Sequence, residues 1–111
     1  MTGSEHTNPP ILIYTTFADQ NEAYQIGKTL IQEKLIACIN VFPAMTAMYE
    51  WEGAIETSEE IAALIKSHKG LEQRIIERIK ALHSYDIPAV LVCDVNAGNK
   101  DFLSWIYSQT A

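Results

Sequence analysis

Basic residues are scarce in this 111-residue chain: Lys and Arg number 8 against 14 Asp and Glu, a formal net charge of −6 with a pI near 4.9. A field of that sign repels phosphate backbones and anionic lipid and gathers cations. Nucleic-acid and membrane-surface roles are therefore disfavoured, and metal ions or basic partners are favoured. Long apolar runs are missing as well, since no stretch approaches the ~20 residues of a membrane span. Residues 1–10 are polar and lack the apolar centre of a signal peptide, so they read as a flexible tail ahead of one domain at 11–111 in a cytoplasmic protein. Cysteine is limited to Cys38 and Cys93, without C-x-x-C spacing. Both fall in apolar runs (37–41 and 90–95) and read as reduced core thiols. No Gly-rich phosphate loop, H-E-x-x-H element or Ser-His-Asp arrangement occurs, and the chain is expected not to be an enzyme.

What is present is a globular composition, 48% hydrophobic and 20% charged, in a chain of the size of one α+β domain. Residues 11–16 (ILIYTT) form a strand signal, and Asp19 with Glu22 makes a D-x-x-E capping box that opens a helix. Through about Leu35, Ala23, Ile26, Gly27, Leu30 and Ile31 recur at helical spacing. Gly27 allows close approach to a sheet, while Gln25, Lys28 and Gln32 face water. Residues 37–51 read as a strand, Glu52-Gly53 as a turn, and 54–67 as the antiparallel partner. Pro43 cannot donate to a ladder and the polar cluster 56–60 interrupts the partner, so an edge or bulge is expected near each. Leu71, Ile75, Ile79 and Leu82 mark an amphipathic helix over 69–83, closed off by Pro88. Residues 89–95 read as a buried strand, and Gly98-Asn99 caps a last helix to about Ser108 carrying Phe102, Leu103, Trp105 and Ile106. This order suits a ferredoxin-like βαββαβ sandwich with an extra C-terminal helix.

The hairpin is too long for that sandwich. Its first strand from Cys38 to Trp51 spans roughly 46 Å at ~3.3 Å per residue, whereas a compact chain of this size has a radius of gyration of about 13 Å. The tip must project, carrying Met45, Met48, Tyr49, Trp51 and Ile55 into solvent, and it is expected to pack on neighbouring subunits. A strand broken at Pro43 would instead fold back.

Among residues that carry chemistry, His83 in Leu82-His83-Ser84-Tyr85-Asp86-Ile87-Pro88 stands out as a metal ligand or proton carrier oriented by Tyr85 and Asp86. The bland alternative is a histidine that stabilises the negative end of a helix. Glu59 and Glu60 fall on opposite strand faces, one as a cation contact or both as edge-protecting charges. His68 beside Lys69 reads as a solvated helix start. An acidic third strand excludes an RNA-recognition module, and TTFADQNE, without Gly or Arg, excludes an acylphosphatase-type phosphate cradle.

Taken together, Tyr14-Thr15-Thr16 before a capped helix, Glu33 to Asn40 (EKLIACIN), Tyr49-Glu50-Trp51-Glu52-Gly53, Glu59-Glu60 leading to Ile65-Lys66, His83 to Pro88, and Gly98-Asn99 followed by Phe102-Leu103-Ser104-Trp105 resemble the CutA divalent-cation tolerance family. The resemblance runs from about Ile11 to Ser108. It implies a ferredoxin-like subunit in a homotrimer, similar in architecture to the nitrogen-regulatory PII signal proteins, with Met48, Tyr49 and Trp51 at the trimer interface. It also implies a role in the response to metal ions, copper (Cu²⁺) first, with His83, Glu60 and the first-strand position Thr15 as the metal residues. The cysteine that copper-binding bacterial members carry at the end of that strand is absent, Ser84 stands where proline is usual, and a soft thiolate is missing there. The alternative it implies is a PII-like regulatory module holding a small anionic ligand in a subunit cleft at Lys66, Tyr85 and Trp105.

Overall fold

Ile11, Ile13, Thr15 and Phe17 expose no surface at all, a period of two that arises when a strand lays one face on a core. They belong to β1 (Pro10–Phe17) in a computed structural model that describes residues 8–111; residues 1–7, most of the tail expected from the sequence, lie outside the described residues. The elements that follow are α1 (Gln20–Gln32), β2 (Cys38–Trp51), β3 (Ala54–His68), α2 (Glu72–Leu82, entered through a single 3-10 turn at Lys69–Leu71), β4 (Val90–Asp94) and α3 (Lys100–Gln109). The strands form one antiparallel sheet in the order β2-β3-β1-β4. This is the ferredoxin-like sandwich expected from the sequence.

The core lies between the sheet and α1 with α2: Ile26 and Leu30 from α1, and Ile75 and Ile79 from α2, close over Ile11, Ile13, Ile61, Ala63 and Ile65. Gly27 lets α1 come down on β2, where an added Cβ would stand 3.0 Å from Ile39 Cγ2. Ile31, expected in the core, is 42% exposed. The helix ends at Gln32, and Lys34 takes a positive φ of 63°, so the last turn never reaches Leu35. Asp19 Oδ1 accepts the Glu22 N–H at 2.8 Å as a cap should. Glu22 does not return to Asp19. Its carboxylate accepts from Ala18 N–H at 3.0 Å and Ser84 N–H at 2.8 Å, stapling the helix start to the loop after α2.

α3 lies against the opposite face of the sheet. Lys66 Nζ sits 5.8 Å over the Phe102 ring and Tyr107 stacks on His68 at 5.2 Å, and both Lys66 and His68 alternate with the core-facing Ile65 and Ser67 along β3. His68 is buried rather than solvated: Nδ1 meets Asn8 Oδ1 at 2.9 Å and Nε2 meets the Ala111 main-chain oxygen at 3.1 Å. The fold therefore begins before residue 11, with Pro9 O and Pro10 O accepting from Lys69 and Val95 N–H.

The hairpin runs unbroken through Pro43. Register passes from Val41↔Ala63 to Ala44↔Ile61, so Phe42 and Pro43 together oppose Ala62, a bulge that absorbs the missing donor. β1 ends level with Ile61, and beyond that point β2 and β3 continue alone as a two-stranded arm. The molecule measures 51 × 26 × 23 Å with a radius of gyration of 15.1 Å, larger than the ~13 Å of a compact chain. The polar cluster at 56–60 does not interrupt β3, because these residues lie on the arm, where charge stays in water. Two other expectations are corrected. β4 is an edge strand, and Cys93 and Leu91 on it are exposed rather than buried. Cys38 is half-buried, and of the apolar residues of α3 only Ile106 is buried, with Phe102 and Trp105 exposed.

Candidate functional site

α2 stops at Leu82 because His83 turns into extended backbone (φ −76°, ψ 146°), which carries its ring against the end of β1. There the side chain has no exposed surface. Nε2–H donates to Thr16 O at 2.7 Å and Nδ1 accepts the Tyr85 N–H at 3.0 Å. The partners fix the tautomer, since a carbonyl can only accept and an amide N–H can only donate. The ring stacks on Phe17 (centroids 5.4 Å apart, 13° between planes) and meets Tyr85 at 4.8 Å.

Glu22 Oε2 lies 4.0 Å from His83 Nδ1. Burial pushes the Glu22 carboxyl up, but hydrogen bonds from Ser84 and Ala18 and the neighbouring His83 ring outweigh it and hold the group below its ordinary value of 4.5. A depressed carboxyl contributes stability that is complete above that ordinary value and is lost as pH falls through the folded-state value. Glu22→Gln should therefore cost about 1–2 kcal/mol at pH 7. The gap from the parent should close as urea midpoints are compared down toward pH 3, and a gap constant with pH would refute the charge-based account. The Tyr85 hydroxyl is pushed above its ordinary value by burial first, then by Glu60, Glu22, Tyr49 and Asp19, so this corner of the molecule is acidic.

The residues expected to hold metal do not form a site. The one lone pair of His83 is committed to Tyr85. Thr15 points into the core, fully buried, its Oγ1 without a hydrogen-bond partner, and the Glu60 carboxylate accepts from Ser58 Oγ at 3.2 Å out on the arm. Among the described residues no group of three or more His, Cys, Asp and Glu is placed to hold an ion. The expected ligand cleft is likewise divided. Lys66 and Trp105 are joined through Phe102, whose ring lies 5.6 Å from that of Trp105, and Lys66 Nζ donates to Asn40 Oδ1. Tyr85 is instead packed against His83 and its hydroxyl feels the charge of Glu60, which lies six residues, roughly 20 Å, along β3 from Lys66. Met48, Tyr49 and Trp51 lie on the arm, Met48 70% and Trp51 62% exposed, with Ile55 beside them at 74%.

His68 was missed as a structural residue because the strand reading stopped at Ser67; one more step of alternation places it beside Lys66 and Leu64 on the face that α3 covers.

Residues 11–109 match the family described as CutA1 divalent ion tolerance protein. The chain belongs to the CutA1 family. It is 44% identical over 100 residues to the Divalent-cation tolerance protein CutA of Pyrococcus horikoshii, covering 90% of this chain and 97% of that one. To Protein CutA, chloroplastic, of Arabidopsis thaliana it is 32% identical over 110 residues, which is 99% of this chain but 60% of that protein. The crystal structure of divalent ion tolerance protein CutA1 from Ehrlichia chaffeensis superposes with a TM-score of 0.90 at 36% identity, covering 94% of this chain and 97% of that one. The CutA1 fold thus accounts for both the sandwich and the arm, and no helix in the described residues is long and apolar enough to cross a membrane.

Proposed function

We propose that this CutA1 chain is a trimeric, non-catalytic protein of the cytoplasm that contributes to divalent-cation tolerance, binding copper or another divalent ion at surfaces completed by its neighbours. The observation that carries the reading is the arm. It holds Met48, Trp51 and Ile55 out in water on a chain whose relatives bear the divalent-cation tolerance name, and soluble monomers seldom display such surface on a bare two-stranded ribbon. A catalytic reading would rest on His83 as general base, and that ring has its acceptor nitrogen engaged and no exposed surface. An acidic chain of net charge −6 draws cations toward whatever site assembly completes.

Light scattering should give a mass of about 37 kDa, three chains of 12.4 kDa. Calorimetric titration of that species with Cu²⁺ should give saturable binding tighter than micromolar, about 8 kcal/mol or more. A 12.4 kDa particle at micromolar concentration defeats the assembly, and a trimer that shows no saturable isotherm with any divalent ion defeats the metal role.

A further inference from the structure

The ladders of the sheet place both cysteines in one row. Cys38 of β2 is paired with Lys66 of β3, Lys66 with Leu12 of β1, and Leu12 with Cys93 of β4. Residues directly opposite each other share a face, and this is the face away from α1 and α2, where Phe102 of α3 lies over Lys66. The thiols end the row at its two edges, three strand spacings or roughly 14 Å apart, so they do not meet within one chain.

β2 and β4 are the edge strands, each with one side lacking a ladder partner among the described residues. Pairing β2 of one subunit with β4 of the next removes both edges at once, and such a head-to-tail contact makes a ring where the rotation closes. Within the sheet β2 and β4 run antiparallel, so a neighbour's β4 arriving in the continued alternation is antiparallel to β2. A cyclic assembly has rotation and no translation along its axis. Where that axis runs along the strands at the seam, residues level with one another in one subunit remain level across it. Cys93 of the neighbouring subunit then arrives beside Cys38, on the same face.

We propose that each seam of the trimer carries a two-thiol site for a soft monovalent metal ion, Cu(I), formed by Cys38 of one subunit and Cys93 of the next. The proposal rests on the trimeric assembly argued above. Thiolates select Cu(I) over harder ions. Both thiols release their protons to solvent, each sulfur donates a lone pair to the metal, and no electron is transferred because the ion arrives as Cu(I). The resulting bis-thiolate complex carries one negative charge. The cation to offset it is in place: Lys66 is the direct cross-strand neighbour of Cys38, its ammonium held by Asn40. Single-chain geometry hides the site, since Cys38 is half-buried at one edge and Cys93 exposed at the other.

The test uses the reduced protein under anaerobic conditions, sized first by light scattering and then titrated in competition with the Cu(I) chelator bicinchoninate. Wild type should take up about one Cu(I) per subunit. Cys38→Ser and Cys93→Ser should each remain trimeric and lose that uptake, and a co-refolded equal mixture of the two variants should regain about a quarter of it, because only seams joining the right two subunits hold both sulfurs. A trimer in which either serine variant keeps full uptake, or in which the mixture regains nothing, overturns the two-thiol site and leaves the assembly standing. A single-chain mass overturns both.

Discussion

His83→Ala should destabilise the protein by about 3–5 kcal/mol and leave its Cu²⁺ isotherm unchanged. The substitution removes a fully buried ring that stacks on Phe17 and strands two backbone groups, the Thr16 carbonyl and the Tyr85 N–H, where water does not reach easily. Each orphaned group costs about 1–3 kcal/mol and the vacated space adds to it. Glu22 also loses its neighbour, so the loop after α2 should loosen from the start of α1. Urea unfolding at one fixed subunit concentration measures the loss, since assembly makes the midpoint depend on concentration. The control that separates packing from ligation is His83→Gln, which keeps a donor and an acceptor on a flexible stem and should recover part of the stability. A stable His83→Ala protein that has lost copper would show that the ring is a ligand after all.

Shortening the arm should convert the assembly to single chains at micromolar concentration, each about a dozen residues lighter than the 12.4 kDa parent, roughly 11 kDa, in place of a particle of three chains. The cut is made by joining Met45 to Glu60, which are opposite each other in the ladder, through an Asn-Gly turn. None of the buried cluster that defines the core lies between those residues, so far-ultraviolet circular dichroism should still report a folded α+β chain. The removed segment holds Met48, Tyr49, Trp51 and Ile55, four of the large apolar side chains the isolated chain leaves in water. A shortened protein that still weighs three chains would place the assembly energy in the sheet edges and open face alone.

Much of this architecture can be read without coordinates. The β-branched and aromatic run 11–16 announces β1, Glu52-Gly53 announces the hairpin, with Glu52 at φ 51° and Gly53 at φ 85°, and Asn99 caps α3 by accepting from Asp101 and Phe102 N–H. The length of the hairpin alone forces the arm. The misreadings have a common cause. The run around Cys93 and the stripe Phe102-Trp105 look like core because they are apolar, yet in one chain they lie exposed on an edge strand and an outer helix. Apolar type alone does not report burial, because an edge strand and an outer helix leave apolar side chains in water. His83 raises a different point. Its residue type advertises a ligand, and nothing near it in sequence reveals that a carbonyl 67 residues earlier claims one nitrogen. Thr15 and Glu60 carried no pattern of their own, and the structure leaves one in the core and one on the arm.

The bulge at Phe42 and Pro43 works as a ruler. Below it β2 offers an open margin over Cys38 to Val41, the same rows in which β4 lies on the far side of the sheet, from Val90 to Cys93. At the bulge itself proline has no N–H to give, so a strand laid along that margin meets a stop after about the length of β4. One imino acid thereby measures how much of the margin a neighbour can occupy and reserves the rest of the ribbon for reaching beyond it.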